Sequence, residues 1–180
     1  MASVLIVDDE PNVLNALRRL CLNSAILPAL PDPSVTTFTS PLAALKHVAT
    51  HKIDLVISDY RMPEMDGAVF LTRVKESQPD AARIILSACT DMEGIIRGIN
   101  HAGIMRFVSK PWSDHDLKAA MNDVLSHRYL VLENRKLADE VRAQRGVISR
   151  QQMELQRLEL ESPGITRVRW TEDGGVMLED

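Results

Sequence analysis

The chain has 180 residues, of which 45% are hydrophobic and 26% charged, and its formal net charge is −4. This size allows one buried core plus an appendage, and the acidic balance argues against a protein whose main task is to coat nucleic acid. No apolar run approaches the roughly 18 residues of a membrane span, and no secretory signal is present, so we expect a cytoplasmic protein. The two cysteines, Cys21 and Cys89, lack metal-ligand spacing and receive no role.

Short apolar runs rich in β-branched residues predict five strands, at 3–7, 35–38, 53–58, 83–87 and 104–109. Segments with helical spacing lie between them, at 11–22, 40–51, 66–78 and 91–103. Ser40 with Pro41 and Asp91 are typical helix starts, and Gly103 is a typical helix end. The connection at 23–34 contains three prolines and predicts a surface loop. Strands that alternate with helices in this way predict an α/β fold, in which a doubly wound parallel sheet is joined by right-handed crossovers.

Polar side chains follow four of the predicted strands. Asp8 and Asp9 end the first strand and Asp59 ends the third. Ser87 ends the fourth and Lys110 follows the fifth. Each alone is more simply a turn former, a helix cap or a surface corner. Because the carboxyl ends of parallel strands meet at one edge of the sheet, where ligands bind, the combination predicts one site.

The residue types at this edge indicate phosphoryl chemistry. Three carboxylates close together repel one another unless a cation lies among them, and oxygen ligands without His or Cys favour Mg²⁺. Asp59 is then free to act as a nucleophile that forms an aspartyl phosphate. Lys110 and the Ser87 hydroxyl can stabilise two further phosphoryl oxygens. The bond between Lys110 and Pro111 can adopt cis, which would direct the lysine into the site.

The motifs VDDE, SDYRMPEMDG, LSA and SKP resemble the signature of the CheY-like receiver domain of two-component response regulators. The resemblance covers residues 1–126. It implies a flavodoxin-like sheet of five parallel strands in the order 2-1-3-4-5. It also implies that Asp59 accepts a phosphoryl group from a histidine kinase or a His-phosphotransfer protein.

The same resemblance implies a magnesium site. Asp9, Asp59 and the backbone carbonyl of Arg61 would be direct Mg²⁺ ligands. Asp8 would be an acidic partner that can act through water. No core motif of this sequence departs from the pattern of the family.

The resemblance further implies a switch. Ser87 stands where the family has Thr or Ser, and Phe107 stands where it usually has a switching aromatic residue. The phosphoryl group would draw the Ser87 hydroxyl inward, and Phe107 would fill the vacated space. The face formed by the predicted fourth helix, the fifth strand and the helix that follows it would then be remodelled. The alternative for Phe107 is a plain core residue.

A narrower likeness lies in INHAGIMRFVSKPW, which resembles receivers of hydrogenase regulators and of regulators joined to cyclic dinucleotide phosphodiesterases. The output domains of those proteins are absent from this sequence. We therefore expect no output enzyme, only assistance by the receiver to its own phosphorylation and dephosphorylation. Trp112 is expected to pack under the helix that follows the fifth strand.

After residue 113 no break appears before Ser162 and Pro163, so this last helix is expected to run on past the receiver. It carries a heptad seam. The d positions are Leu130, Leu137, Gln144, Gln151 and Leu158, and the a positions are Asn134, Val141, Ile148 and Leu155. Branched residues and one Asn at a, with Leu at d, favour a parallel homodimeric coiled coil through residues 127–160. The alternatives are a helix that folds back on its own receiver and one that docks on another protein.

Six basic residues lie along this helix: Arg128, Arg135, Lys136, Arg142, Arg145 and Arg150. They alternate with acidic residues and no helix-turn-helix follows, so we assign them to a solvated face and expect no direct nucleic acid binding. Residues 163–180 predict a small hairpin. The expected organisation is therefore a receiver at 1–126, a coiled-coil helix at 127–162 and a short tail at 163–180.

These expectations describe a phosphorylation-activated response regulator that signals through dimerisation or contact with a downstream protein. One alternative is a phosphorelay shuttle or phosphate sink without an output of its own. Another is a metal-dependent phosphohydrolase. It is disfavoured because such enzymes place a second Asp two residues after the nucleophile, where this chain has Arg61.

Overall fold

Five strands and four helices form the described part of the chain, which a computed structural model gives for residues 2–22, 33–88 and 103–161. The strands are β1 (Ser3–Val7), β2 (Ser34–Phe38), β3 (Leu55–Asp59), β4 (Ala82–Ala88) and β5 (Arg106–Lys110). The helices are α1 (Pro11–Leu22), α2 (Pro41–Val48), α3 (Gly67–Ser77) and α4 (Asp114–Glu161). The predicted helix at 91–103 lies outside the described residues except for Gly103, as do Cys89, the tail at 163–180 and nearly all of the loop at 23–34.

All five strands are parallel, and their order in the sheet is β2-β1-β3-β4-β5. The predicted doubly wound, flavodoxin-like sheet is confirmed. The chain order reverses between β1 and β3, so the ligand site of such a sheet is expected at the carboxyl ends of these two strands. The register aligns Asp59 of β3 with Leu86 of β4, which places Ser87 one residue further along the same edge.

Capping residues fix where the helices beside the sheet begin. Ser40 precedes α2, and its side chain accepts a hydrogen bond from the Ala43 N–H at 3.4 Å. Pro41 occupies the first turn, where its missing N–H is not needed. This predicted helix start is confirmed. The Asp66 carboxylate caps α3 by accepting from the Val69 N–H at 2.8 Å.

Two buried clusters cover the two faces of the sheet. Alternate residues of β1, such as Leu5 and Ile6, belong to different clusters and are fully buried. The first cluster joins the sheet to α1 and α4, and the second joins it to α2 and α3. Burial on both faces explains why β1, β3 and β4 are apolar along nearly their whole length. Trp112 packs against the first cluster, as predicted.

Helix α4 continues without interruption from Asp114 to Glu161, as the sequence predicts. Its buried side chains are Leu117, Ala120, Met121, Val124 and Leu125. The described chain divides into two compact units, the first ending at Leu132 and the second beginning at Glu133. None of the described helices has the length and hydropathy that a membrane crossing requires.

We predict that Met121→Ala lowers the free energy of unfolding of the receiver by about 2–5 kcal/mol, because Met121 is fully buried and its removal leaves a cavity. The matched control is Met153→Ala on the same helix. Met153 is 69% exposed, so we expect a change within about 0.5 kcal/mol. Urea unfolding followed by circular dichroism checks both values. Equal effects for the two variants would contradict the packing described for α4.

Candidate functional site

Three of the predicted site residues meet at the carboxyl edge of the sheet. The Nζ atom of Lys110 lies 2.8 Å from Oδ2 of Asp8 and 2.5 Å from Oδ1 of Asp59. Asp8 is fully buried and Asp59 is 6% exposed. The lysine extends from the end of β5 past β4 and thus bridges carboxylates that follow β1 and end β3. The peptide bond between Lys110 and Pro111 is cis, the isomer that the sequence analysis considered.

At this edge of the sheet one lysine side chain lies beside two carboxyl groups. Burial raises the pKa of Asp8, although the hydrogen bonds from Lys110 and from the Glu10 N–H act against it. Burial lowers the pKa of Lys110, but its hydrogen bonds to Asp59 and Asp8 outweigh burial and the pKa is raised. The lysine is therefore charged at neutral pH. One ammonium shared by two buried carboxylates leaves a negative balance, which favours a further cation.

The metal site expected from the three aspartates stays a prediction. Asp9 is exposed, and in the described ranges no group of three His, Cys, Asp or Glu side chains could by itself hold a metal ion. Lys110 instead lies between the other two carboxylates. The donors still fit Mg²⁺, which takes one or two carboxylates and completes its six oxygen ligands with carbonyls and waters. Asp9, Asp59 and the backbone carbonyl of Arg61, with Asp8 beside them, provide such oxygens.

The two predicted switch residues lie on neighbouring strands. Ser87 is 2% exposed on β4, and its hydroxyl donates to the Ala88 carbonyl oxygen at 3.3 Å. Phe107 of β5 aligns with Ile85 of β4, is half-buried and packs against the cluster that includes α2 and α3. The structure thus places Ser87 at the site edge and Phe107 two residues back from it, since Ser109 is the register partner of Ser87.

The loop between Asp59 and α3 depends on Gly67, whose part the sequence analysis missed. The Gly67 N–H donates to the Tyr60 carbonyl oxygen at 2.8 Å. A Cβ atom at Gly67 would collide with the backbone carbonyl of Asp59 and approach the Tyr60 Cα at 3.0 Å. Only a residue without a side chain permits this approach. The Asp-Gly pair signals a turn in the sequence, but not that the glycine contacts the backbone of Asp59.

The comparison with protein families agrees with this geometry. A model described as the response regulator receiver domain matches residues 4–122. The chain belongs to this family and is homologous to response regulators of two-component systems.

The chain matches only a part of the length of each curated relative named here. The hydrogenase transcriptional regulatory protein HoxA of Cupriavidus necator is 37% identical over 115 residues, 63% of this chain and 22% of HoxA. The cyclic di-GMP phosphodiesterase response regulator RpfG of Xanthomonas campestris is 32% identical over 147 residues, 76% of this chain and 37% of RpfG. Both kinds of relative predicted from INHAGIMRFVSKPW are thus among the matches. The chain spans less than two fifths of either protein.

Solved structures share the fold over about three quarters of the chain. The crystal structure of an uncharacterized protein from Neptuniibacter caesariensis has a TM-score of 0.66 and 40% identity, and covers 74% of this chain and 93% of that one. The signal receiver domain of an HD domain-containing protein from Pseudomonas fluorescens has a TM-score of 0.64 and 30% identity, with 73% and 92% covered.

We predict that Gly67→Ala destabilises the receiver by about 1–3 kcal/mol, because the backbone of Asp59 must shift to admit the methyl group. Gly146→Ala is the matched control, since a Cβ there meets no atom within 4 Å. The control should leave receiver unfolding unchanged. Thermal unfolding of both variants measures the difference. Receivers of equal stability would show that the close approach at Gly67 is not a constraint.

Proposed function

We propose that this chain is a response regulator that accepts a phosphoryl group on Asp59 from a histidine kinase or a His-phosphotransfer protein. The observation that supports this most directly is the bridge from Lys110 to Asp8 and Asp59 at the carboxyl edge of the sheet. We place the protein in the cytoplasm, where such kinases present their phosphoryl groups. Within these 180 residues we propose no output enzyme.

In the proposed reaction a carboxylate oxygen of Asp59 attacks the phosphorus atom. The bond from phosphorus to the donor histidine nitrogen breaks, and a bond to the Asp59 oxygen forms. Mg²⁺, held by Asp9, Asp59 and the carbonyl oxygen of Arg61, with Asp8 through water, would neutralise charge on the phosphoryl oxygens. The Lys110 ammonium, already within 2.5 Å of Asp59, would pair with a phosphoryl oxygen at little cost in reorganisation.

The same step would operate the switch. The phosphoryl oxygens offer the Ser87 hydroxyl a charged acceptor in place of the Ala88 carbonyl, to which its present bond is long at 3.3 Å. Movement of Ser87 would then open space toward β5, into which Phe107 would turn. Phosphorylation would stabilise one of two packings of this edge, as a population shift requires.

We predict that a small phosphodonor with Mg²⁺ adds one phosphoryl group to the wild-type protein and none to Asp59→Ala. Asp139→Ala, which replaces an exposed aspartate of α4, is the control and should be labelled like the wild type. Chelation of Mg²⁺ should suppress labelling in both proteins that accept the group. Intact-mass spectrometry measures the gain. Persistent labelling of Asp59→Ala would exclude it as the acceptor.

We further propose that the helix beyond the receiver pairs with a second copy of the chain through residues 127–160. The apolar seam residues are exposed in the single chain. Their exposed fractions are 58% for Leu130, 48% for Leu137, 46% for Val141, 52% for Ile148 and 52% for Leu155. Repeated exposure of apolar residues at heptad spacing is typical of a helix whose partner is another helix.

We predict that Ile148→Asp weakens self-association at least about tenfold, because a charge would be buried at an a position of the coil. Met153→Asp is the matched control, since Met153 is exposed but lies at an outer heptad position. Light scattering with and without beryllium fluoride, in Mg²⁺, gives the molar mass of each variant. A dimer formed only with the mimic would mean that phosphorylation controls pairing. Equal behaviour of the two variants, or a wild type that stays monomeric throughout, would contradict the proposed seam.

A further inference from the structure

Arg128 lies one turn after Leu125, the last buried residue of α4. Leu125 is 6% exposed and the Arg128 side chain 14%, whereas Tyr129 is 65% and Leu130 58% exposed. The sequence analysis assigned Arg128, with five other basic residues, to a solvated helix face. That assignment is wrong for Arg128, while the other five are exposed. Helical periodicity reports apolar residues and gives no signal for a covered guanidinium.

The Arg128 guanidinium binds two segments at once. Its Nη2 atom lies 2.6 Å from Oδ1 of Asp54, and its Nε–H donates to the Asp80 carbonyl oxygen at 2.7 Å. The second carboxylate oxygen of Asp54 accepts a hydrogen bond from the Ser3 N–H at 2.8 Å. The planar guanidinium suits this geometry, which a lysine cannot reproduce. We call this set of contacts the Arg128 clasp.

The clasp lies at the amino-terminal ends of three strands. Asp54 directly precedes β3, and its backbone also bonds to the first residue of β1 and of β4. At their other ends the same strands lead to Asp8, to Asp59 and to Ser87. The three strands that join the clasp to the site are buried along nearly their whole length and hydrogen-bonded to one another. The site and the clasp are therefore opposite ends of one stiff unit.

We infer that Arg128 is a positioning residue that couples the receiver sheet to the part of α4 beyond it. The clasp ties the helix turn after Leu125 to the sheet, so that this turn unfolds together with the receiver. A small displacement of β3 or β4 alters the clasp and hence the order of the following turns. Any change that the clasp transmits on activation rests on the proposed phosphorylation of Asp59. The contacts of Arg128 do not depend on that proposal.

The first test is hydrogen exchange of the full-length chain without phosphodonor. Arg128→Gln should raise exchange in residues 126–133 about tenfold, the effect expected from loss of a hydrogen-bonded charge. Arg150→Gln, an exposed arginine of the same helix, should not change it. Arg128→Lys should fall between them, because a lysine can still pair with Asp54 but cannot also bind the Asp80 carbonyl. Equal exchange in Arg128→Gln and Arg150→Gln would overturn the inference.

A double-mutant cycle tests whether Arg128 acts through Asp54. Asp54→Asn keeps an acceptor for the Ser3 N–H and removes the charge that faces Arg128. If the clasp acts as one unit, the variant with both substitutions exchanges no faster in 126–133 than Arg128→Gln alone. Additive effects would mean that the two residues act independently, and would overturn the clasp. Asp59 labelling of each variant shows that the receiver remains folded.

The second test asks whether a phosphoryl mimic at the site changes hydrogen exchange in α4. Beryllium fluoride with Mg²⁺ should change exchange in residues 129–140 of the wild type. The change should be lost in Arg128→Gln and kept in Arg150→Gln, with Asp59 labelling intact in all three. A response that persists in Arg128→Gln, or a wild type that is labelled but shows no response, would overturn the coupling. Failure of wild-type labelling would refute the proposed acceptor instead, and the clasp would then be judged by the first test.

Discussion

The Lys110 ammonium between Asp8 and Asp59 is the interaction on which the arrangement of this receiver depends. Two carboxylates with little or no solvent access are costly unless a cation is held between them, and a buried charge left without its partner destabilises a fold strongly. The lysine is placed by β5, at the opposite end of the sheet from β2. The strand order and the burial of both faces of the sheet thus hold the lysine and the two carboxylates at one edge. This is the constraint on the site.

That constraint also makes the edge responsive. A single ammonium cannot neutralise two carboxylates and an added phosphoryl group equally well, so the preferred positions of Lys110 and its neighbours depend on what occupies the site. The backbone around Asp59 is held more rigidly. Gly67 packs against the Asp59 carbonyl, and the Tyr60 N–H donates to the Leu86 carbonyl oxygen at 2.8 Å. A fixed backbone with exchangeable side-chain partners is suited to a switch.

The sequence predicted those parts of the fold that depend on local patterns. Strands covered on both faces leave continuous apolar runs, and residues at their carboxyl ends meet by topology, so the edge with Asp8, Asp59 and Lys110 could be predicted. Contacts made by atypical residues could not. Arg83 opens an apolar run, yet it is 4% exposed and donates to backbone carbonyls that include those of Ala81 and Gly103. Such roles depend on neighbours that are distant in the sequence.

A covered residue and an exposed one lie close together on α4. Arg128 faces the receiver, and Leu130, which begins the heptad seam, is two residues later. At 3.6 residues per turn the two side chains leave the helix axis about 200° apart. Leu130 is therefore exposed where Arg128 is covered, and the proposed pairing through Leu130 would leave the contacts of Arg128 intact.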